Sequence, residues 1–428
     1  MKTKFKIVSG AIVAPKGFRA SGVFCDIKRI GTGKGSNKGA KRDLALIVSD
    51  RPATVAGMFT TNQVCAAPVK VCLERVKRGK AQAVVVNSGN ANACTGGQGL
   101  ADAREMARFT ERSLRLPGGS VLVGSTGRIG MALPMDNVRA GIIEAAVELG
   151  DTARHAANAV EAIMTSDTRP KEIAVELKLN GRAVRIGGIC KGAGMIQPGM
   201  SASGRRPAAR SLHATMLCFL TTDAAVPAAA LQAALEEAVA QSFNRITVDG
   251  DMSTNDMLMI QANGLASNPA IKDHTEEYQL FVSALEYVLI KLAKMIARDG
   301  EGATKLIEVL VTGATSEEEA VQAGRAVANS NLVKTAIHGA DANWGRILAA
   351  VGYSGIDFNP DLVEVSFNDL PVLKKNYEIV LDEEKAKAIL TRDSVVVHIN
   401  LNQGTQSARF WTCDLTKEYV HINASYRS

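Results

Sequence analysis

The sequence predicts an α/β (α+β) fold, mixed sheets covered by helices, on three observations. Short apolar runs of strand length recur between Gly, Asn and Ser clusters, as in Ala81–Asn87 (AQAVVVN), Val121–Gly124 and Met216–Leu220. Longer stretches instead carry apolar residues at helical spacing. Between the two kinds lies a strong hairpin signal, Asn180-Gly181, inside the alternating stretch Glu172–Gly188. With 428 residues, 46% of them hydrophobic, the chain can bury a large core split over two or more domains. Aromatics are 4%, so Ala, Val, Leu and Ile must do the packing.

Met1–Asp50 reads as short strands and turns, rich in Gly and Lys. The strand Ala81–Asn87 runs into Ser88-Gly89-Asn90-Ala91-Asn92-Ala93-Cys94-Thr95-Gly96. Small residues with alternating amides let backbone approach a ligand, or form a tight loop whose amides satisfy their own backbone. Val121–Gly124 ends in Ser125-Thr126-Gly127, either a strand-end turn or a place where a hydroxyl and a following N–H point the same way. Two helices follow, Asp136–Gly150 with the stripe Val138, Ile142, Ile143, Ala146, Val147, and Asp151–Thr165 with Ala157, Val160, Ile163. The second delivers the polar cluster Thr165-Ser166-Asp167-Thr168. Beyond the hairpin and the strand Met216–Leu220, Pro227–Ser242 is an Ala/Leu helix with Pro at its start, and Tyr278–Ala297 a long one. Leu306–Gly313 is a buried strand, and Ser316 with Glu319 opens a helix through about Asn329 with a capping box. Leu362–Ser428 reads as mostly alternating strands.

Several function classes drop out. The net charge of +7 is modest for this length and no block of like charges forms a nucleic-acid stripe. Seven cysteines are scattered without a CxxC pair and read as reduced thiols. No stretch is apolar and long enough to be a signal peptide or to span a bilayer, so no membrane is expected and a cytoplasmic setting is. Gly31-Thr32-Gly33-Lys34-Gly35-Ser36 lacks Walker spacing and reads as an exposed turn. Asp249, Asp251, Ser253 and Asn255 have calcium-loop spacing, but Thr254 and Ile260 stand where such a loop needs Gly and Glu. The six histidines are dispersed, and no metal site is expected.

The stretch Ile189–Ala224, ICKGAGMIQPGMSASGRRPAARSLHATMLCFLTTDA, carries the chemistry. Thr215 sits on the seam between a polar, Arg-bearing loop and a buried strand. A Thr hydroxyl is a poor nucleophile until a positioned base takes its proton. Thr215 can supply that base itself. If its hydroxyl attacks the Ala214 carbonyl, an N-to-O acyl shift followed by hydrolysis frees the Thr215 amine. With a reference pKa of about 7.7–8.0, that amine is partly neutral near pH 7 and can deprotonate the same residue's hydroxyl. On local grounds alone, a Thr before an apolar strand is ordinary β-branched packing.

The words around it decide. Lys191-Gly192-Ala193-Gly194-Met195-Ile196, Ala214-Thr215-Met216-Leu217 and Thr221-Thr222-Asp223-Ala224 resemble the self-cleaving ornithine/glutamate N-acetyltransferase family of arginine biosynthesis. The NANACTG, EGATK and KTAIHGADANWGRILAAVG words resemble it too, in order and from near the N-terminus to the final residues. The resemblance implies cleavage between Ala214 and Thr215, giving an α chain (1–214) with the oxyanion hole and a β chain (215–428) with Thr215 as nucleophile. It also implies an oxyanion hole at Thr126 and Gly127, and substrate contacts at Thr165, Lys191, Thr215, Glu301, Asn423 and Ser428. The chain departs from the pattern in three places, the first being Arg128, which follows Thr126-Gly127 where an apolar residue is expected. The loop between Pro198 and Ala214 is longer, with Arg205, Arg206 and Arg210, and the last residue is Ser where Thr is common.

The implied reaction is ping-pong. Thr215 takes the acetyl group of N-acetylornithine as an ester, ornithine leaves, and glutamate collects the acetyl. It needs no cofactor; acetyl-CoA as a second acetyl donor would make the enzyme bifunctional. The resemblance also implies an α2β2 assembly. Two rivals stand beside this reading: a Thr amidohydrolase or aminopeptidase with water as acceptor, and a non-catalytic basic binding protein that never cleaves.

Overall fold

The computed structural model describes residues 5–32, 41–205 and 216–425. They form two compact units, one of residues up to 244 together with 251–292, the other of 245–250 and the chain from 293 onward. Most of the Gly-Lys turn expected at 31–36 lies outside the described residues, after the short helix Ile27–Thr32.

The first unit is built on one nine-stranded sheet: β1 (Phe5–Val8), β2 (Phe18–Val23), β3 (Leu44–Phe59), β4 (Lys80–Asn90), β5 (Val121–Arg128), β6 (Lys171–Leu179), β7 (Arg182–Lys191), β8 (Leu217–Thr222) and β9 (Met257–Ala262). Their order is β1-β6-β7-β8-β9-β3-β4-β5, with β2 on β3. The sheet is mixed, since β8 runs parallel to β9 and β4 to β5 while the other pairs are antiparallel. A register shift between Val48 and Ala53 breaks β3, and its second half takes β9 as a further partner. The hairpin β6–β7 turns at Asn180-Gly181, both at positive φ, as the sequence predicts.

Every residue of β8 and β9 is buried, which explains why the stretch that leads into β8, Met216–Leu220, reads as a continuous apolar run without alternation. Helices Met135–Val147 and Ala153–Ile163 pack on β2 and β3, and Ala67–Val76 and Gly96–Leu114 on β5. Valines of β4 and β5, with Leu44, Ile142, Val160 and Phe219, fill the core between.

The second unit holds a six-stranded sheet of β10 (Leu306–Ala314), β11 (Glu364–Phe367), β12 (Leu370–Lys374), β13 (Glu378–Ile379), β14 (Ser394–Asn400) and β15 (Gln406–Cys413). Their order is β13-β12-β11-β14-β10-β15. The helix Glu317–Asn329 covers β10 and β15, opened by Ser316, whose hydroxyl accepts the Glu319 N–H at 3.2 Å.

Two expectations need correction. The segment after Leu362 carries the expected strands, β11 to β15, but also two helices that the alternation does not predict, Glu383–Leu390 and Lys417–Ser425. Tyr419, Val420 and Ile422 favour a strand locally, but Thr416 caps the last helix by accepting from the Glu418 and Tyr419 N–H groups. Nor does the strand at 121–124 end in a turn; β5 continues through Ser125, Thr126 and Gly127 to Arg128, paired in parallel with β4. No helix among the described residues is long and apolar enough to cross a membrane. No group of three or more His, Cys, Asp or Glu side chains among them could hold a metal ion.

Candidate active site

The end of β5 is shaped by glycine. Gly127 has φ of +129°, and a Cβ there would stand 2.4 Å from the Gly89 carbonyl carbon, so neither the angle nor the space admits another residue. Beside it the NANACTG loop is locked by its own amides. Asn87 donates to the Asn90 carbonyl, Asn90 to those of Met131 and Ala132, and Asn92 to that of Gly99. These side chains are spent on backbone, the tight-loop reading of the sequence. Asn255 then ties loop to strand, donating to the Ala91 carbonyl at 2.6 Å and the Ser125 carbonyl at 2.8 Å.

Thr126 is buried, and its hydroxyl accepts from Lys191 Nζ at 3.3 Å. A hydroxyl has one proton and two lone pairs, so the one that takes the ammonium keeps its own O–H to donate. Lys191, the last residue of β7, pairs with Leu217 at the start of β8. The lysine is itself positioned through its neighbour. Asp167, fully buried, accepts from the Gly192 N–H at 2.7 Å and from Lys171 Nζ at 2.7 Å through one oxygen, and from the Thr165 N–H at 2.9 Å through the other. Burial alone would raise its pKa; the ammonium groups of Lys171 and Lys191, with these hydrogen bonds, hold it well below the usual carboxylate range. One carboxylate thus fixes the backbone beside two of the expected substrate contacts, Thr165 and Lys191.

Position 215 lies outside the described residues, as do Ala214 and Ser428. The first described residue after the seam is Met216, whose N–H donates to the Asp256 Oδ1. Asp256 precedes β9, is buried, and its Oδ2 has no partner among the described residues.

The remaining two expected contacts meet in the second unit. Asn423, on the last helix, donates to Glu301 Oε2 at 2.9 Å. The EGATK word around Glu301 hangs on Asp414, which accepts from the Thr304 and Lys305 N–H groups, both at 2.8 Å, and faces His338 Nδ1 at 2.9 Å. Burial works against its charge, but the Thr304 hydroxyl, which donates to Oδ2, outweighs it together with these donors and keeps the Asp414 carboxyl below its ordinary range. Thr416 closes the arrangement by donating to the Gly302 carbonyl.

A family model, the ArgJ family, matches residues 20–428. The arginine biosynthesis bifunctional protein ArgJ of Symbiobacterium thermophilum is 51% identical over 421 residues, 98% of this chain and 99% of that protein. The protein of the same name from Caldanaerobacter subterraneus subsp. tengcongensis is 47% identical over 427 residues, 99% of this chain and all of that one. The chain belongs to the ArgJ family. Among solved structures, ornithine acetyltransferase of Mycobacterium tuberculosis, complexed with ornithine, is 37% identical with a TM-score of 0.42, covering 46% of this chain and 100% of that chain.

In this ArgJ family member, the sequence points to Thr126, Gly127, Lys191, Glu301 and Asn423 but not to the carboxylates that hold the backbone at Thr165, Gly192, Met216, Thr304 and Lys305. Asp167 passes as part of a helix-end cluster, Asp256 as the tail of a rejected calcium loop, and Asp414 as an ordinary acidic residue. Their signal is burial, which a carboxylate shows only once folded.

Proposed function

We propose that this chain transfers the acetyl group of N-acetylornithine to glutamate through an acetyl ester on Thr215, after cutting its own backbone between Ala214 and Thr215. It is an acyltransferase of arginine biosynthesis, as its family membership gives. In the first half-reaction the free Thr215 amine takes the hydroxyl proton while Oγ attacks the acetyl carbonyl. Charge gathering on the carbonyl oxygen meets the Thr126 O–H and the Gly127 N–H, and losing one such donor typically costs about 3–4 kcal/mol of barrier. The amine passes its proton to the departing ornithine nitrogen, and glutamate reverses the sequence. Lys191 counters a substrate carboxylate, while Thr165, Glu301, Asn423 and Ser428 orient the amino acid.

The observation that carries this reading is the Lys191–Thr126 contact, because Lys191 pairs with Leu217, two residues past the proposed nucleophile. A buried hydroxyl with its proton free to donate is thereby tied to the strand that follows the seam. Alternation of two substrates in one site requires no coenzyme. The relatives are named bifunctional, and we propose that the second function is acetylation of glutamate from acetyl-CoA. We further propose an α2β2 assembly and, from seven unpaired thiols, a cytoplasmic setting.

Intact-mass spectrometry tests the core of this. The purified protein should give two polypeptides, the second beginning at Thr215, and brief exposure to N-acetylornithine should add one acetyl group to it. A single uncut chain of full mass overturns the reading. Release of acetate without N-acetylglutamate, when both substrates are present, would instead favour the amidohydrolase.

A further inference from the structure

The acyl shift at the seam has a requirement that Thr126, Gly127 and Lys191 leave unmet. As the Ala214–Thr215 bond breaks, the Thr215 nitrogen must gain a proton, because an amide nitrogen does not leave as an anion near neutral pH. Among the described residues one group is built to supply it. Asp256 is 1% exposed and fixed from both neighbours of β9, the strand it precedes, β3 on one side and β8 on the other. Its carbonyl accepts from Thr60 N–H at 2.9 Å, and the next residue, Met257, donates its N–H to the Met216 carbonyl at 3.1 Å. Its Oδ1 accepts from the Met216 N–H, while Oδ2 has no partner among the described residues. An N–H bound at Oδ1 leaves the acid proton to Oδ2. Adjacent backbone nitrogens are three covalent bonds apart and lie within about 3.7 Å of each other. The scissile nitrogen is therefore one residue step from the nitrogen that Asp256 already holds.

Resting on the proposed cleavage at Ala214–Thr215, we infer that Asp256 is the proton donor of self-cleavage, giving its carboxyl proton to the Thr215 nitrogen as that bond breaks. The step balances. Thr215 Oγ bonds to the Ala214 carbonyl carbon, the carbon–nitrogen bond breaks, the nitrogen takes the Oδ2 proton, and the carboxylate recovers a proton from the former hydroxyl. Water then hydrolyses the ester, leaving a carboxylate on Ala214 and a hydroxyl on Thr215. Burial keeps the Asp256 carboxyl protonated well above the usual carboxylate range; the Met216 hydrogen bond and the positive charge of Lys191 on β7 pull the other way without prevailing.

Freshly translated full-length chain, followed on denaturing gels across pH, provides the test. Asp256→Asn keeps an acceptor for the Met216 N–H and the side chain's shape but has no carboxyl proton. It should slow cleavage at least about 100-fold, the low end of what a positioned acid contributes, with an unchanged thermal melt. The wild-type rate should fall at alkaline pH as Asp256 ionises, and that limb should vanish in Asp256→Asn. Asp256→Glu, which restores a carboxyl one methylene longer, should recover part of the rate and keep the limb. Thr215→Ala separates the two ideas. If it stays whole while Asp256→Asn cleaves at the wild-type rate, the inference about Asp256 falls and the nucleophile stands; if Thr215→Ala also cleaves, the seam chemistry itself is wrong. Should Asp256→Asn fail to fold, Asp256→Ser, which also lacks the carboxyl proton, decides: a slowed cleavage without the alkaline limb supports the inference, and a wild-type rate with the limb retained overturns it.

Discussion

Asp167 and Lys171 form an ion pair whose side chains are 0% and 1% exposed, so removing Asp167 leaves the Lys171 ammonium buried without its carboxylate. Replacing Asp167 by Ala should cost about 3–5 kcal/mol, and pairing that change with Lys171→Met should recover much of it. The same carboxylate predicts a pH dependence. Its folded pKa is depressed, so its contribution is fully present above the unfolded value, about 3.9, and is lost as pH falls below it. The stability advantage of wild type over Asp167→Asn should therefore be flat from neutral pH down to about 5 and shrink below about 4. Thermal melts across that range check both statements. A melt difference that stayed constant into strong acid would mean that Asp167 is not ionised in the fold. None of this was visible in the sequence, where Asp167 and Gly192 are 25 residues apart. The motif words pointed to Lys191 and Thr165; the residue that holds both in place needed the fold.

Among elements, two glycines show what local reading captures and what it misses. Asn180-Gly181 was legible because a tight hairpin needs positive φ whatever surrounds it, and Gly181 has φ of +76° with nothing within 4 Å of a notional Cβ. Gly181→Ala should cost about 1–2 kcal/mol for the left-handed backbone alone and leave turnover unchanged. Gly127 sits in a strand, and its constraint comes from Gly89 across the ladder, 38 residues earlier in the chain. Gly127→Ala should abolish turnover and lower the melting temperature by more than Gly181→Ala, as the two variants measured side by side will show. The last helix is the opposite case, an element misread because Tyr, Val and Ile suit a strand while the deciding cap is a single hydroxyl. Thr416→Ala should cost about 1 kcal/mol and raise KM for the amino-acid substrate more than it lowers kcat, since Asn423 rides on that helix. Steady-state kinetics would show a kcat-only effect if the helix served another purpose.

At the scale of the whole molecule, the proposed cut has an unusual setting. A break at 214–215 does not fall between the two compact units; it precedes a central strand of the first. On the sheet, β8 and β9 from beyond the seam lie between β7 and β3 from before it, joined by antiparallel ladders on both outer sides. The bond proposed to be cut, Ala214–Thr215, lies ahead of Met216 and is not itself part of those ladders. The sequence predicted a buried strand after the seam, but its partners are set by long-range pairing that no local pattern encodes. The consequence is that the two polypeptides of the proposed cut would be parts of one hydrogen-bonded sheet, that of the first unit, and should lose it in one unfolding transition. Cleaved protein should run as a single species on size-exclusion chromatography at high salt and at low concentration. In denaturant, the loss of tertiary signal and the separation of the two polypeptides should share one midpoint. Phe219→Ala, which empties a fully buried site on β8, should move that shared midpoint down by about 3–5 kcal/mol of stability rather than split it. Two separate transitions, with the β polypeptide released while the α polypeptide keeps its fold, would refute the shared sheet as the bond between them.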